Sequence, residues 1–201
     1  TTETESPDWR IDIGKVAIKD SRIKLQSSDT PLDGGWGGYA AIREACLDAG
    51  DISLRAGAYH AGKLFLALDS LNFTPDLSPA GEGRQIAFRD VCLRLDRFSY
   101  DTTRLSVRGL DLKTPVSFAR GDAEALQPIL SGGRWEAALQ ASLGSDDVLG
   151  LAKSYMPKDL AACYPQQPLS IDLQAEGSMD SLSLPLCSVQ MPTVASIRAN
   201  G

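Results

Sequence analysis

Alternation of apolar and polar residues, repeated along almost the whole chain, is the feature that most limits what it can become. Trp9-Arg10-Ile11-Asp12-Ile13 opens the pattern, and Val16-Ala17-Ile18-Lys19 and Arg22-Ile23-Lys24-Leu25 continue it. It returns in Asp51 to Arg55, Leu64 to Phe73, Ile86 to Tyr100, Leu105 to Leu112, Trp135 to Leu143 and Leu169 to Ala175. Successive side chains of a strand point to opposite faces, so a period of two predicts strands with one buried and one wetted face. Short connections carrying Gly, Asp, Ser or Pro suit hairpins. The expected fold class is mostly β: an elongated, curled antiparallel sheet of repeated hairpins, an open groove or β-solenoid-like, with one or two short helices.

Some stretches repeat. Val16 to Leu25 lies over Ile86 to Leu95 with apolar on apolar, base on base and Asp20 on Asp90; Leu66 to Phe73 lies likewise over Leu93 to Tyr100. Like hairpins stacking into one long sheet produce such matches. If both copies of the first repeat are strands, Ile18, Ile23, Leu25, Phe88, Leu93 and Leu95 share an apolar face and Lys19, Lys24, Arg89 and Arg94 face water. Two stretches break the pattern. Tyr39 to Asp48 is rich in helix formers with Ile42, Cys46 and Leu47 on one side, which predicts a helix by propensity. Residues 146–155 predict a short helix, with Ser145 or Asp146 as cap, acids in the first turn and Pro157 just beyond. Lys158 to Tyr164 offers a further turn. Residues 1–8 read as disordered, and residues 31–38, with the run Asp33-Gly34-Gly35-Trp36-Gly37-Gly38, as a mobile loop.

With 43% hydrophobic and 23% charged residues, the chain can bury a core. A net charge of -6 supplies no basic surface for phosphate backbones, which disfavours a nucleic-acid partner. No apolar run approaches the roughly 20 residues of a membrane-spanning helix. Cys46, Cys92, Cys163 and Cys187 stand far apart, without the Cys-x-x-Cys spacing of zinc or redox sites. Cys92 and Cys187, inside strand-like surroundings, are expected as reduced, buried core residues.

Catalytic signatures are missing too. His60 is the only histidine, so a Ser-His-Asp triad would have to run through it, yet it stands in Ala58-Tyr59-His60-Ala61-Gly62, which reads as a turn. The glycine cluster follows no strand and ends in no Gly-Lys-Ser/Thr, so it is not a phosphate loop. Adjacent Asp146 and Asp147 point apart on a helix and serve as caps rather than as a catalytic pair. No enzyme activity, cofactor or metal is expected from these residues.

Three phrases resemble the TamB family of long cell-envelope proteins, related to AsmA and to bridge-like lipid transporters. They are Trp9 to Leu25, a Trp and two alternating strands about an Asp turn; Leu110-Asp-Leu-Lys-Thr-Pro-Val-Ser117, a strand ending in Thr-Pro-x-Ser; and Pro168 to Leu184, a strand, Gly, turn and strand. The resemblance implies that residues 1–201 are a single β-repeat segment of a longer, periplasmic, inner-membrane-anchored protein. It implies phospholipid transport to, or protein assembly in, the outer membrane, with an outer-membrane β-barrel assembly-type protein and phospholipid acyl chains as partners. The expected lipid-groove residues are Ile86, Phe88, Leu93 and Leu95. The competing reading is a closed β-sandwich binding module for a protein or glycan at the cell surface. A sandwich buries its apolar face under a second sheet, whereas a groove leaves part of that face open.

Overall fold

The computed structural model describes residues 9–26, 38–75, 86–126, 133–152, 158–178 and 180–201. Its strands are β1 (Arg10–Gln26), β2 (Gly38–Arg55), β3 (Ala58–Ala61), β4 (Lys63–Pro75), β5 (Ile86–Leu95), β6 (Arg97–Tyr100), β7 (Arg104–Lys113), β8 (Phe118–Leu126), β9 (Arg134–Leu143), β10 (Leu169–Gly177), β11 (Leu182–Met191) and β12 (Ala195–Ala199). Two short helices, α1 (Ser145–Ala152) and α2 (Lys158–Ala162), stand between β9 and β10. All the strands belong to one 12-stranded sheet, and every pairing is antiparallel.

The connectivity is simpler than the strand count. β3 and β4 both pair with β2 and follow each other through Gly62; β5 and β6 both pair with β7 and follow each other through Asp96. Each pair is one long ribbon interrupted by an irregularity, so the sheet is a meander in which neighbours in space are neighbours in sequence. Its edges are β1, which pairs only with β2, and β12, which pairs only with β11. The sheet is therefore open, as alternation without long crossovers predicts.

Left-handed residues set which face each side chain meets. Ile18 to Ser21 of β1 stands against Leu47 to Ala45 of β2, and then Ser21 to Ile23 stands against Ala45 to Ile42, so an extra residue enters first one strand and then the other. Asp20 (φ 50°) and Glu44 (φ 51°) occupy these bulges, and Asp90 (φ 48°) takes the matching place in β5. Each bulge shifts the period-two phase by one and adds right-handed twist. As a result Ile42, Leu71 and Phe88 pack on the same buried cluster of Ala45, Leu68 and Val91 as Leu66 does. A second line of irregularities crosses the sheet at Asp51 (φ 53°) and Gly109 (φ 65°). A Cβ on Gly109 would come within 2.3 Å of Asp96, so that position combines a left-handed backbone with no room for a side chain.

The stretch Tyr39 to Asp48 is strand, not helix. It belongs to β2, paired along its length with β1 on one side and β4 on the other, and its alanines 41, 45 and 49 are buried. Ladder bonds on both edges override a helix propensity worth only tenths of a kcal/mol per residue. Residues 1–8 and 31–37 lie outside the described residues, and Gly38 opens β2. The predicted helix at 146–155 is present as Ser145–Ala152, and residues 153–157 are again outside those described. His60 lies within β3 and is half-buried, not in a turn. The four cysteines are free, but Cys92 and Cys187 are half-buried rather than buried, and Cys163 is exposed.

Candidate functional site: an open apolar face

One face of the sheet is apolar from edge to edge. Across it runs a row of directly opposed residues: Ile18, Leu47, Leu66, Leu93, Leu112, Ala119, Ala141, Ile171, Val189 and Ile197. A parallel row nearer the β2–β3 turn runs Ile11, Leu54, Tyr59, Tyr100, Leu105, Ala125, Trp135, Gly177 and Leu182. Period-two alternation within each strand and the bulges between segments put these residues on one side.

A second layer over such a face would bury these side chains almost completely. Instead, among the described residues no large side chain is fully buried, and the core proper consists mainly of alanines with Leu68 and Val91. Ile18 is 43% exposed, Leu112 36% and Ile197 63%, so both edges and the middle of the row remain accessible. Contiguous accessible apolar surface of this kind marks a binding surface on a folded protein.

Of the four residues expected to line a groove, Phe88, Leu93 and Leu95 lie on this face and are half-buried, and Ile86 begins the same strand opposite Phe73. Phe88 packs on the Ala45–Leu68–Val91 cluster, so it forms part of the floor as well as the lining. What the sequence reading left out is the continuation of the face through β7 to β12. The alternation in Leu105 to Leu112, Trp135 to Leu143 and Leu169 to Ala175 already carried that signal, but the phase shift at Gly109 hides the join.

Helix α1 is fastened beside this face. Asp147 accepts hydrogen bonds at Oδ2 from Thr114 Oγ1 and Ser117 Oγ, both at 2.5 Å, while Gly144 N donates to Ser117 Oγ at 2.9 Å. The Thr114-Pro115-Val116-Ser117 turn thus receives the helix end, and a Cβ on Gly144 would meet Val116 at 2.7 Å. The helix touches β5, whose first half extends past the end of β7. Its Leu151 stays 40% exposed, and Val148 and Leu149 are half-buried.

The opposite face is polar. A row of Asp12, Ser53, His60, Ser99, Ser106, Glu124, Glu136, Glu176 and Ser183 crosses it from β1 to β11. Three glutamates directly opposed would repel one another. Glu124 is relieved by Arg104 at 2.7 Å on one oxygen and Arg108 on the other, and these bonds, that from Arg104 foremost, hold its carboxyl below the usual range. Asp111 is lowered likewise, first by Lys113 at 2.8 Å and then by Arg120 at 3.1 Å. Among the described residues no group of three or more His, Cys, Asp or Glu could hold a metal ion, and no helix is long and apolar enough to cross a membrane. The geometry is that of a one-layer sheet with a water-facing charged side and an accessible apolar side. No family model, curated protein or solved structure matches the chain.

Proposed function

We propose that this chain is a non-enzymatic length of a periplasmic, inner-membrane-anchored envelope protein of the TamB type, whose open apolar face carries phospholipid acyl chains towards the outer membrane. The single observation that supports the reading is the row from Ile18 to Ile197, apolar in every strand it crosses and accessible at both ends and at Leu112. An acyl chain requires no hydrogen bonds and no reactive group, only continuous apolar surface, and each partly exposed Leu or Ile it covers contributes on the order of 1 kcal/mol. The location, the membrane anchor and an outer-membrane β-barrel assembly-type partner come with the resemblance of Trp9 to Leu25, Leu110 to Ser117 and Pro168 to Leu184 to that family.

Photo-crosslinking in the full-length protein in cells tests the proposal. A crosslinker at Leu95 or Leu112 is expected to capture phospholipid, while the same group at Arg89 or Arg94, on the other face, is expected to capture none. Equal labelling of both faces, or protein adducts alone at Leu95 and Leu112, would refute lipid carriage and leave a protein-binding role.

A further inference from the structure

The two rows that cross the apolar face differ in chemistry. The row from Ile18 to Ile197 is aliphatic in every strand it crosses. The row nearer the β2–β3 turn carries Tyr59, Tyr100 and Trp135, and Trp9 stands just before β1 at the same end. Both tryptophans among the described residues are therefore at this one end of the strands.

Tyr59 and Tyr100 oppose each other on β3 and β6, their rings stacked at 5.9 Å and 23°. The Trp135 ring reaches over β10, since a Cβ on Gly177 would lie 3.2 Å from its Cζ2. Such ring pairs stabilise neighbouring strands whether or not anything covers them. Here they stay open: Trp9 is 41% exposed, Tyr59 46% and Tyr100 44%. Among the described residues their hydroxyl and indole N–H groups form no hydrogen bond, and none is a buried atom left without a partner. A ring with an apolar body and a polar atom free for water is most stable where apolar and wet surroundings meet, as at the boundary of a lipid layer.

The spacing of the rows fits the same surroundings. On β9 they are marked by Trp135 and Ala141, six residues apart, with Ala137 and Leu139 on the same face between them. Six residues of strand span about 20 Å. The hydrocarbon of one leaflet is about 15 Å deep, half of a core of about 30 Å. One acyl chain laid along the strands thus reaches from the aromatic row to the aliphatic one.

Resting on the reading that lipid lies on this face, we infer that its acyl chains run parallel to the strands, with their ester ends at the aromatic row and their methyl ends towards the row from Ile18 to Ile197. The aromatic row is then the lip of the carrier, and successive lipids stand side by side across the sheet rather than end to end.

Tryptophan fluorescence tests the orientation. Trp9→Phe and Trp36→Phe leave Trp135 as the only tryptophan of the three, and a second variant adds Trp135→Phe and Leu112→Trp to report from the aliphatic row. Ile197→Trp, in the same row, takes the place of Leu112→Trp if that variant melts earlier than the parent. Each is mixed with vesicles of phosphatidylcholine brominated either near the carbonyl end or near the methyl end of its acyl chain. Trp135 is expected to be quenched about twofold more by the carbonyl-end bromines, and the tryptophan at 112 about twofold more by the methyl-end bromines. Equal quenching of Trp135 by the two lipids, or the reverse order, overturns the inference. If the tryptophan at 112 is quenched and Trp135 by neither lipid, the aromatic lip fails and acyl-chain carriage stands; if neither site is quenched, carriage fails and the lip with it.

Discussion

Four acidic residues, Asp20, Glu44, Asp51 and Asp90, hold backbone angles that side chains usually avoid. A left-handed conformation costs an ordinary L-residue about 1–2 kcal/mol, least for Asp and Asn and nothing comparable for Gly. Asp90→Val is therefore expected to lower the unfolding free energy by about 1–2 kcal/mol and Asp90→Gly to leave it within about 0.5 kcal/mol, measured by urea denaturation. Equal losses would mean that the Asp side chain, not the backbone, matters there. The repeat that set Asp20 on Asp90 was legible in the sequence, and both positions are bulges. What strict alternation could not explain is how Phe88 and Leu93, five residues apart, face the same way; a φ angle is invisible in composition. Charged residues on the other face lead to a pH dependence. Hydrogen bonds from Arg104 and Arg108 lower the Glu124 carboxyl below its ordinary 4.5, and those from Lys113 and Arg120 lower Asp111 below 3.8. A carboxyl depressed in the folded state contributes stability that is complete above its unfolded value and lost as pH falls through the folded one. The urea midpoint is expected to hold from neutrality down to about the ordinary carboxyl range and to fall below it. Glu124→Gln should flatten that fall, and an unchanged acid limb in this variant would remove Glu124 from the explanation.

At the scale of elements, α1 depends on one carboxylate for its place. Asp147→Ala removes the acceptor shared by Thr114 and Ser117, and a loss of about 1–3 kcal/mol is expected from two hydrogen bonds to a charged group. Hydrogen exchange should then accelerate in α1 and in the first half of β5, which the helix touches, while β9 and β10 keep their protection. Uniform acceleration across the sheet would show that the helix holds up the whole fold rather than its own corner. This helix was readable in the sequence because its signals are local: a cap, first-turn acids and a following proline. The misreading of Tyr39 to Asp48 has the complementary cause. Its alanines favour a helix in isolation, but here they supply the small buried positions of a central strand, and that requirement comes from β1 and β4, far away in the sequence. The Thr114 to Ser117 phrase was noticed as a pattern without its purpose, since its partner Asp147 lies beyond two further strands.

For the molecule as a whole, an uncovered face means that position on the face, not residue type, decides what a truncation costs. Leu68→Ala, in the buried cluster with Ala45 and Val91, is expected to lose about 2–4 kcal/mol, whereas Leu112→Ala, in the accessible row, should lose about 1 kcal/mol or less. Equal losses in urea denaturation would mean that something covers Leu112 in solution. The open, hairpin-built sheet was foreseeable from alternation and short turns. The extent of the apolar face was not, because it depends on adding up phase shifts at Asp20, Glu44, Asp51, Asp90 and Gly109.

The meander has a consequence for how such a chain can be made and altered. Because each ribbon pairs with the one that precedes it, every new hairpin finds its template already in place as the chain emerges, and no strand waits for a distant partner. The same arrangement tolerates growth by duplication. Inserting one more hairpin between β8 and β9, in phase with the rows, would widen the molecule by about 10 Å and move every later strand outward, giving new neighbours to β8 and β9 alone. Removing one would shorten it just as cleanly. Length in a protein of this design is thus a quantity that can change in steps of one hairpin, like the links of a chain fitted to the gap it has to bridge.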